Sequence, residues 1–126
     1  MDGYVIGDVK TPAYIYRAVA LSVYDGDTMT LDIDVGFGVW LHKQKVRLWG
    51  IDTPEMRGEE RPEGIIARDF VRGIVPAGKP LLIQTRRDKT GKYGRWLAEV
   101  FVEVGDVMIS LNESLVARGL AKRALY

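Results

Sequence analysis

Nine consecutive residues carry most of the chemistry in this sequence: Arg47-Leu48-Trp49-Gly50-Ile51-Asp52-Thr53-Pro54-Glu55. An apolar strand runs directly into a turn, and the stretch holds a guanidinium, two carboxylates, a hydroxyl and a proline. Two other stretches complement it. Asp25-Gly26-Asp27-Thr28 offers further carboxylates upstream, and Gly91-Lys92-Tyr93-Gly94-Arg95 offers cations and a ring downstream. Together these residue types suit cleavage of a phosphodiester. That reaction needs charge on the phosphoryl oxygens neutralised, a water oriented and a leaving alkoxide stabilised. Hard divalent cations such as Ca²⁺ or Mg²⁺ bridge carboxylates to a phosphate oxygen and prefer oxygen donors. Arginine suits phosphate because its planar fork donates two hydrogen bonds.

Roles follow from position. Asp27 and Asp52 are the expected metal ligands; each follows a strand, so both reach one end of the fold. The Thr53 carbonyl adds a third oxygen, and Asp25 stands behind them as a supporting or turn residue. Glu55, three residues beyond Asp52 and across a proline-fixed turn, is placed to hold the attacking water and take its proton. Arg47 and Arg95 clamp the phosphate from two sides. Lys92 and Tyr93 contact a neighbouring phosphate or stack on a base. Each motif taken singly has a plainer reading. Asp25-Gly26-Asp27-Thr28 alone is a hairpin turn, Asp52-Thr53-Pro54 alone an Asx-type turn, and a lone arginine an exposed strand-end cation. His42 is the only histidine, and with no cysteine to join it, it reads as a strand residue without a catalytic role.

The chain of 126 residues suits one domain around one core, and 47% apolar with 28% charged residues is an ordinary globular balance. The absence of cysteine excludes disulfides, a cysteine nucleophile and a cysteine-based zinc site. No segment approaches the ~20 apolar residues of a membrane span. Met1 to Thr11 has no apolar run, so a cytoplasmic protein is expected, with secretion after loss of a signal the other possibility. Net charge is only +1, but its distribution is uneven. Residues 84–95 carry five cations against one acid, whereas acids gather at 25–34 and 55–63. A basic sector beside an acidic one can hold a phosphate beside a cation.

Elements that position these residues can be read in order. Residues 1–12 read as a leader ending at Thr11-Pro12, and 13–126 as a single domain. Ala13–Tyr24, Thr28–Val35 and Val39–Gly50 read as three strands joined by tight turns. In the second, Met29, Leu31, Ile33 and Val35 alternate with Thr and Asp. A helix is expected over about 62–73, with Pro62 in its first turn, Ile66 and Phe70 toward the core and Gly73 at its end. Leu81–Arg87 and Trp96–Val104 read as further strands. Ser110 and Glu113 form the two halves of a capping box before a helix striped by Leu111, Leu115, Val116 and Leu120. The order predicts an α+β fold: a five-stranded Greek-key β-barrel of the oligonucleotide-binding type, with two helices.

Four blocks in this order resemble the staphylococcal (micrococcal, thermonuclease-like) nuclease family over about residues 16–124. They are Asp25–Thr28, Arg47–Glu55, Lys92–Arg95 and Asn112–Lys122. The resemblance implies the same barrel and Ca²⁺-dependent hydrolysis of DNA and RNA; separately, a monomer is expected, with protein partners unknown. It further implies in-line water attack that leaves 3′-phosphate ends. By position, Asp27, Asp52 and Thr53 match the family's metal ligands, Arg47, Glu55 and Arg95 its catalytic trio, and Lys92 and Tyr93 residues that hold a terminal phosphate. Gly91 stands where the secreted archetype has aspartate. Leu125, with Tyr126 one step later, stands where it has a nucleotide-packing tyrosine. The chain is also far less basic than that archetype. Two other readings share the fold: a catalytically silent nucleic-acid- or protein-binding domain, and a plain oligosaccharide- or oligonucleotide-binding barrel. The full set of carboxylates and arginines favours activity over both.

Overall fold

Alternation builds the first hairpin of this computed structural model, which describes residues 13–124. The leader read over residues 1–12, Leu125 and Tyr126 lie outside the described residues. β1 (Ile15–Asp25) and β2 (Thr28–Asp34) pair antiparallel across the Gly26 turn. Met29, Leu31 and Ile33 of β2 are buried, while Thr30, Asp32 and Asp34 between them stay half-exposed. β3 (Trp40–Leu48) pairs back on β2, completing the expected meander. β5 (Pro80–Thr90) then pairs with the other side of β1, and β6 (Trp96–Val104) pairs with β5. One parallel pairing, Val46–Leu48 of β3 against Trp96–Ala98 of β6, closes the five strands into a barrel. Closure removes the free edges that an open sheet would expose. Val46, Leu48, Ile83, Ala98, Val100 and Val102 fill the interior and are fully buried.

The third strand is shorter than expected. It ends at Leu48; Trp49 N–H bonds the Ala98 carbonyl, and Gly50 at φ +82° turns the chain into β4 (Ile51–Asp52). Only glycine enters that left-handed region freely. β4 pairs with β8 (Lys122–Arg123), and β7 (Val107–Ser110) adds to the outer edge of β6. These short strands are too brief to show a period.

α1 (Arg61–Ile74) follows a 3₁₀ turn at Gly58–Glu60 and carries Pro62 in its first turn, as expected. Its buried face is Gly64, Ala67 and Val71. Ile66, expected in the core, is 56% exposed, because the buried stripe runs through Gly64, Ala67 and Val71 instead, while Phe70 packs against the core as expected. The helix also runs one residue past Gly73. α2 (Leu111–Ala117) buries Leu111 and Leu115 and half-buries Val116. Ser110 Oγ caps it, accepting from the Glu113 N–H at 3.2 Å. The reciprocal half of the capping box does not form. The Glu113 carboxylate takes Arg123 instead, at 2.7 and 2.6 Å, because a two-point charged pair outweighs one bond to a backbone amide. Among the described residues no helix is long and apolar enough to cross a membrane.

Candidate active site

The Asp25-Gly26-Asp27 turn is pressed onto its neighbours. A Cβ on Gly26 would lie 2.8 Å from Thr53 Cγ2 and 2.9 Å from Ala67 Cβ of α1, so only glycine lets the hairpin seat there. The seat is then fastened by hydrogen bonds. Thr53 N–H donates to Asp27 Oδ2 at 3.0 Å, Leu48 N–H to the Asp27 carbonyl at 2.9 Å, and Asp27 N–H to Asp25 Oδ1 at 3.1 Å. The two stretches separated in sequence by 26 residues thus form one surface.

Arg47 joins them. Its Nη1 lies 2.6 Å from Asp27 Oδ2, and its Nη2 bonds Asp52 Oδ1 and, at 3.2 Å, the Ile51 carbonyl. Both proposed ligand carboxylates therefore meet on a single guanidinium. Burial alone would raise the Asp27 pKa, but the Thr53 amide and the Arg47 charge outweigh it and hold this carboxyl below its usual range. Asp25 is shifted the other way. Burial, then the neighbouring Asp27 charge, push it up to about 6.

Glu55 is set by α1. A Cβ on Gly64 would lie 2.4 Å from the Glu55 carbonyl oxygen and 2.9 Å from that of Pro54, so the loop rests directly on the helix backbone. Glu60 Oε1 accepts the Glu55 N–H at 2.8 Å, and the Glu55 side chain stays exposed. Arg95 enters from the β5–β6 loop, which closes on itself through Gly91 N–H to the Arg95 carbonyl at 2.7 Å. Its Nη1 donates to Thr28 Oγ1 at 3.3 Å, and its Nε is buried without a partner. Among the described residues it is the one buried side-chain nitrogen or oxygen in that condition. Tyr93 beside it is 72% exposed, with Arg95 5.2 Å and Lys92 5.5 Å from its ring centre. Asp25, Asp27, Arg47, Asp52, Thr53, Glu55, Lys92, Tyr93 and Arg95 all line one cavity of about 1280 Å³. Every residue chosen from the sequence for the site is thus on its wall. His42 is elsewhere, exposed on β3 and 3.2 Å from Asp32.

The sequence model of the staphylococcal nuclease homologue family matches residues 45–126, about two thirds of the chain. The chain belongs to the staphylococcal nuclease family. An uncharacterized protein of Methanocaldococcus jannaschii is 28% identical over 134 aligned positions. That alignment takes in 90% of this chain and 61% of the archaeal protein, so the chain spans less than two thirds of that relative's length. Family membership accounts for the barrel with its two helices, and the family includes nucleases.

The donor set of this family member suits a hard cation. Asp27 and Asp52 supply carboxylate oxygens, both already reach one positive group, and the Thr53 backbone is bonded to Asp27. No group of three His, Cys, Asp or Glu side chains with metal-binding geometry occurs among the described residues, so a cation here would need oxygens besides this carboxylate pair, and the Thr53 carbonyl is the backbone group that could add one.

Several positioning residues escaped the sequence reading. Asn112 is 2% exposed; its Oδ1 accepts from Val100 N–H and its Nδ2 donates to the Trp49 and Ala98 carbonyls, tying α2 to the strand end that leads to Asp52. Gly64 and Glu60 fix the Glu55 backbone. A helix-interior glycine was the available signal for Gly64, since it needs a packing reason.

Proposed function

We propose that this protein is a Ca²⁺-dependent nuclease. It hydrolyses phosphodiester bonds of DNA and RNA by in-line attack of water and leaves 3′-phosphate ends. The observation that carries the reading is Arg95 Nε, a buried donor without a partner on the wall of a cavity that also holds the carboxylates and Glu55. A buried unsatisfied guanidinium nitrogen is costly unless an anion completes it, and a phosphate does so with fork geometry.

Asp27, Asp52 and the Thr53 carbonyl would hold the cation. When bound, the cation neutralises charge on the phosphoryl oxygens. Arg47 exchanges its carboxylate partners for a phosphoryl oxygen, and Arg95 donates from the β5–β6 loop. Glu55 orients a water and takes its proton as the water oxygen bonds to phosphorus. The bond from phosphorus to the 5′ oxygen breaks, the 5′ alkoxide takes a proton from solvent water, Glu55 returns its proton to solvent, and the phosphate remains on the 3′ oxygen. Lys92 and Tyr93 hold the adjoining phosphate. All these groups come from one chain, so the proposed reaction draws on no residue of a second copy.

End-group analysis tests the chemistry. Products from a labelled oligonucleotide should resist extension by a polymerase until a phosphatase removes the 3′-phosphate. Products that extend without phosphatase treatment would contradict the bond assignment.

A further inference from the structure

Tyr24 is the residue near the end of β1 that the barrel does not use. Val23 before it is buried and Asp25 after it half-buried, yet Tyr24 is 73% exposed. The register of β1 on β2 slips at this point: Val23 faces Met29 and Asp25 faces Thr28, leaving Tyr24 as the extra residue of a bulge. Bulges re-aim side chains beside functional sites. This one is fixed from outside the sheet. Arg72 of α1 donates from Nε and Nη2 to the Val23 carbonyl, at 3.1 and 2.8 Å. A large ring is therefore held in water on backbone that a charged fork immobilises. Folding does not call for it. Tyr24 lines the same cavity as Asp27, Arg47, Arg95 and Tyr93, and it is the second strongly exposed ring there.

Resting on the nuclease reading, we propose that Tyr24 is a stacking platform for an unpaired base of the strand whose phosphate meets Arg95. A tyrosine has only two side-chain torsions to order, so a ring on fixed backbone loses little freedom on stacking. Every base has a π-face, so the contact tolerates sequence. Bases inside a duplex already hide both faces, so the platform serves unpaired nucleotides. The contact carries no charge, so it adds nothing to the salt dependence, unlike Lys92.

The test uses a single-stranded oligonucleotide containing 2-aminopurine, titrated in chelator so that it stays intact. The parent, Tyr24→Ala and Tyr24→Trp are compared at several salt concentrations, and KM is measured in Ca²⁺. Tyr24→Ala should weaken binding about tenfold or more at every salt concentration, lose most of the quenching and raise KM in parallel. Tyr24→Trp should keep both affinity and quenching. Because Tyr24 is exposed, these variants fold like the parent, which circular dichroism checks. If Tyr24→Ala binds and quenches as the parent does, the stacking proposal is wrong while the nuclease reading stands. If the parent neither binds nor cleaves, both fall together.

Discussion

At the scale of single residues, the site divides labour among groups whose surroundings differ. Glu55 is exposed, and Arg95 is half-buried with an unpartnered Nε. On the proposed chemistry, Glu55→Gln should lower turnover by about 10²–10⁴-fold and Arg95→Ala by about 10²–10³-fold, with unchanged circular dichroism. Near-parental turnover in either variant would remove that residue from its role. Asp25 offers a different test. Its folded pKa is raised to about 6, so the metal-free fold gains most from Asp25 below the ordinary value of 3.8 and loses that gain as pH rises through 6. Asp25→Asn should therefore match the parent near pH 4 and melt higher at pH 7. Discounted for its partial exposure, the gain is about 1 kcal/mol, or roughly 3–5 °C. Equal melting-temperature differences at the two pH values would refute this. That these side chains share one cavity was legible in the sequence, because phosphodiester chemistry would demand those types together. Arg47 was legible as a cation but not as the group on which both carboxylates meet, since that depends on a contact between distant turns.

At the scale of elements, two glycines do what no side chain can. Gly26 seats the hairpin on Thr53, and Gly64 lets the Pro54-Glu55 loop rest on α1. Exposed helical glycine is usually improved by alanine, by about 1 kcal/mol. Here a Cβ 2.4 Å from a backbone oxygen reverses the sign. Gly64→Ala should destabilise by roughly 1–3 kcal/mol in chemical denaturation and also lower kcat, because Glu55 moves with its loop. A variant as stable and as active as the parent would show that the loop accommodates elsewhere. Strong periodicity made β2 and α2 readable from sequence. The face of α1 was misread at Ile66 because size suggested the core, whereas the buried stripe runs through Gly64, Ala67 and Val71, a face that Ile66 does not share. β4, β7 and β8 were unreadable, since two to four residues carry no period and their pairing is set by distant partners.

At the scale of the whole molecule, the barrel closes by one parallel pairing of β3 with β6, and the strand ends, β4 and α1 then assemble the cavity. The meander and the element order were legible; the closing register was not, because it joins segments about fifty residues apart. Net charge of +1 limits long-range attraction to polyanions. Affinity for single strands should therefore fall with salt along a shallow line, set by the few cations lining the cavity rather than by the overall field. A steep slope equivalent to eight or more phosphate contacts would contradict that picture. The central claim is catalysis itself, and one assay addresses it most directly. Single-stranded DNA, duplex DNA and RNA are each incubated with the protein in Ca²⁺ and in chelator. Cleavage in Ca²⁺ that chelator abolishes and added Ca²⁺ restores is the predicted result; intact substrates under all conditions, with the protein folded, would contradict the account.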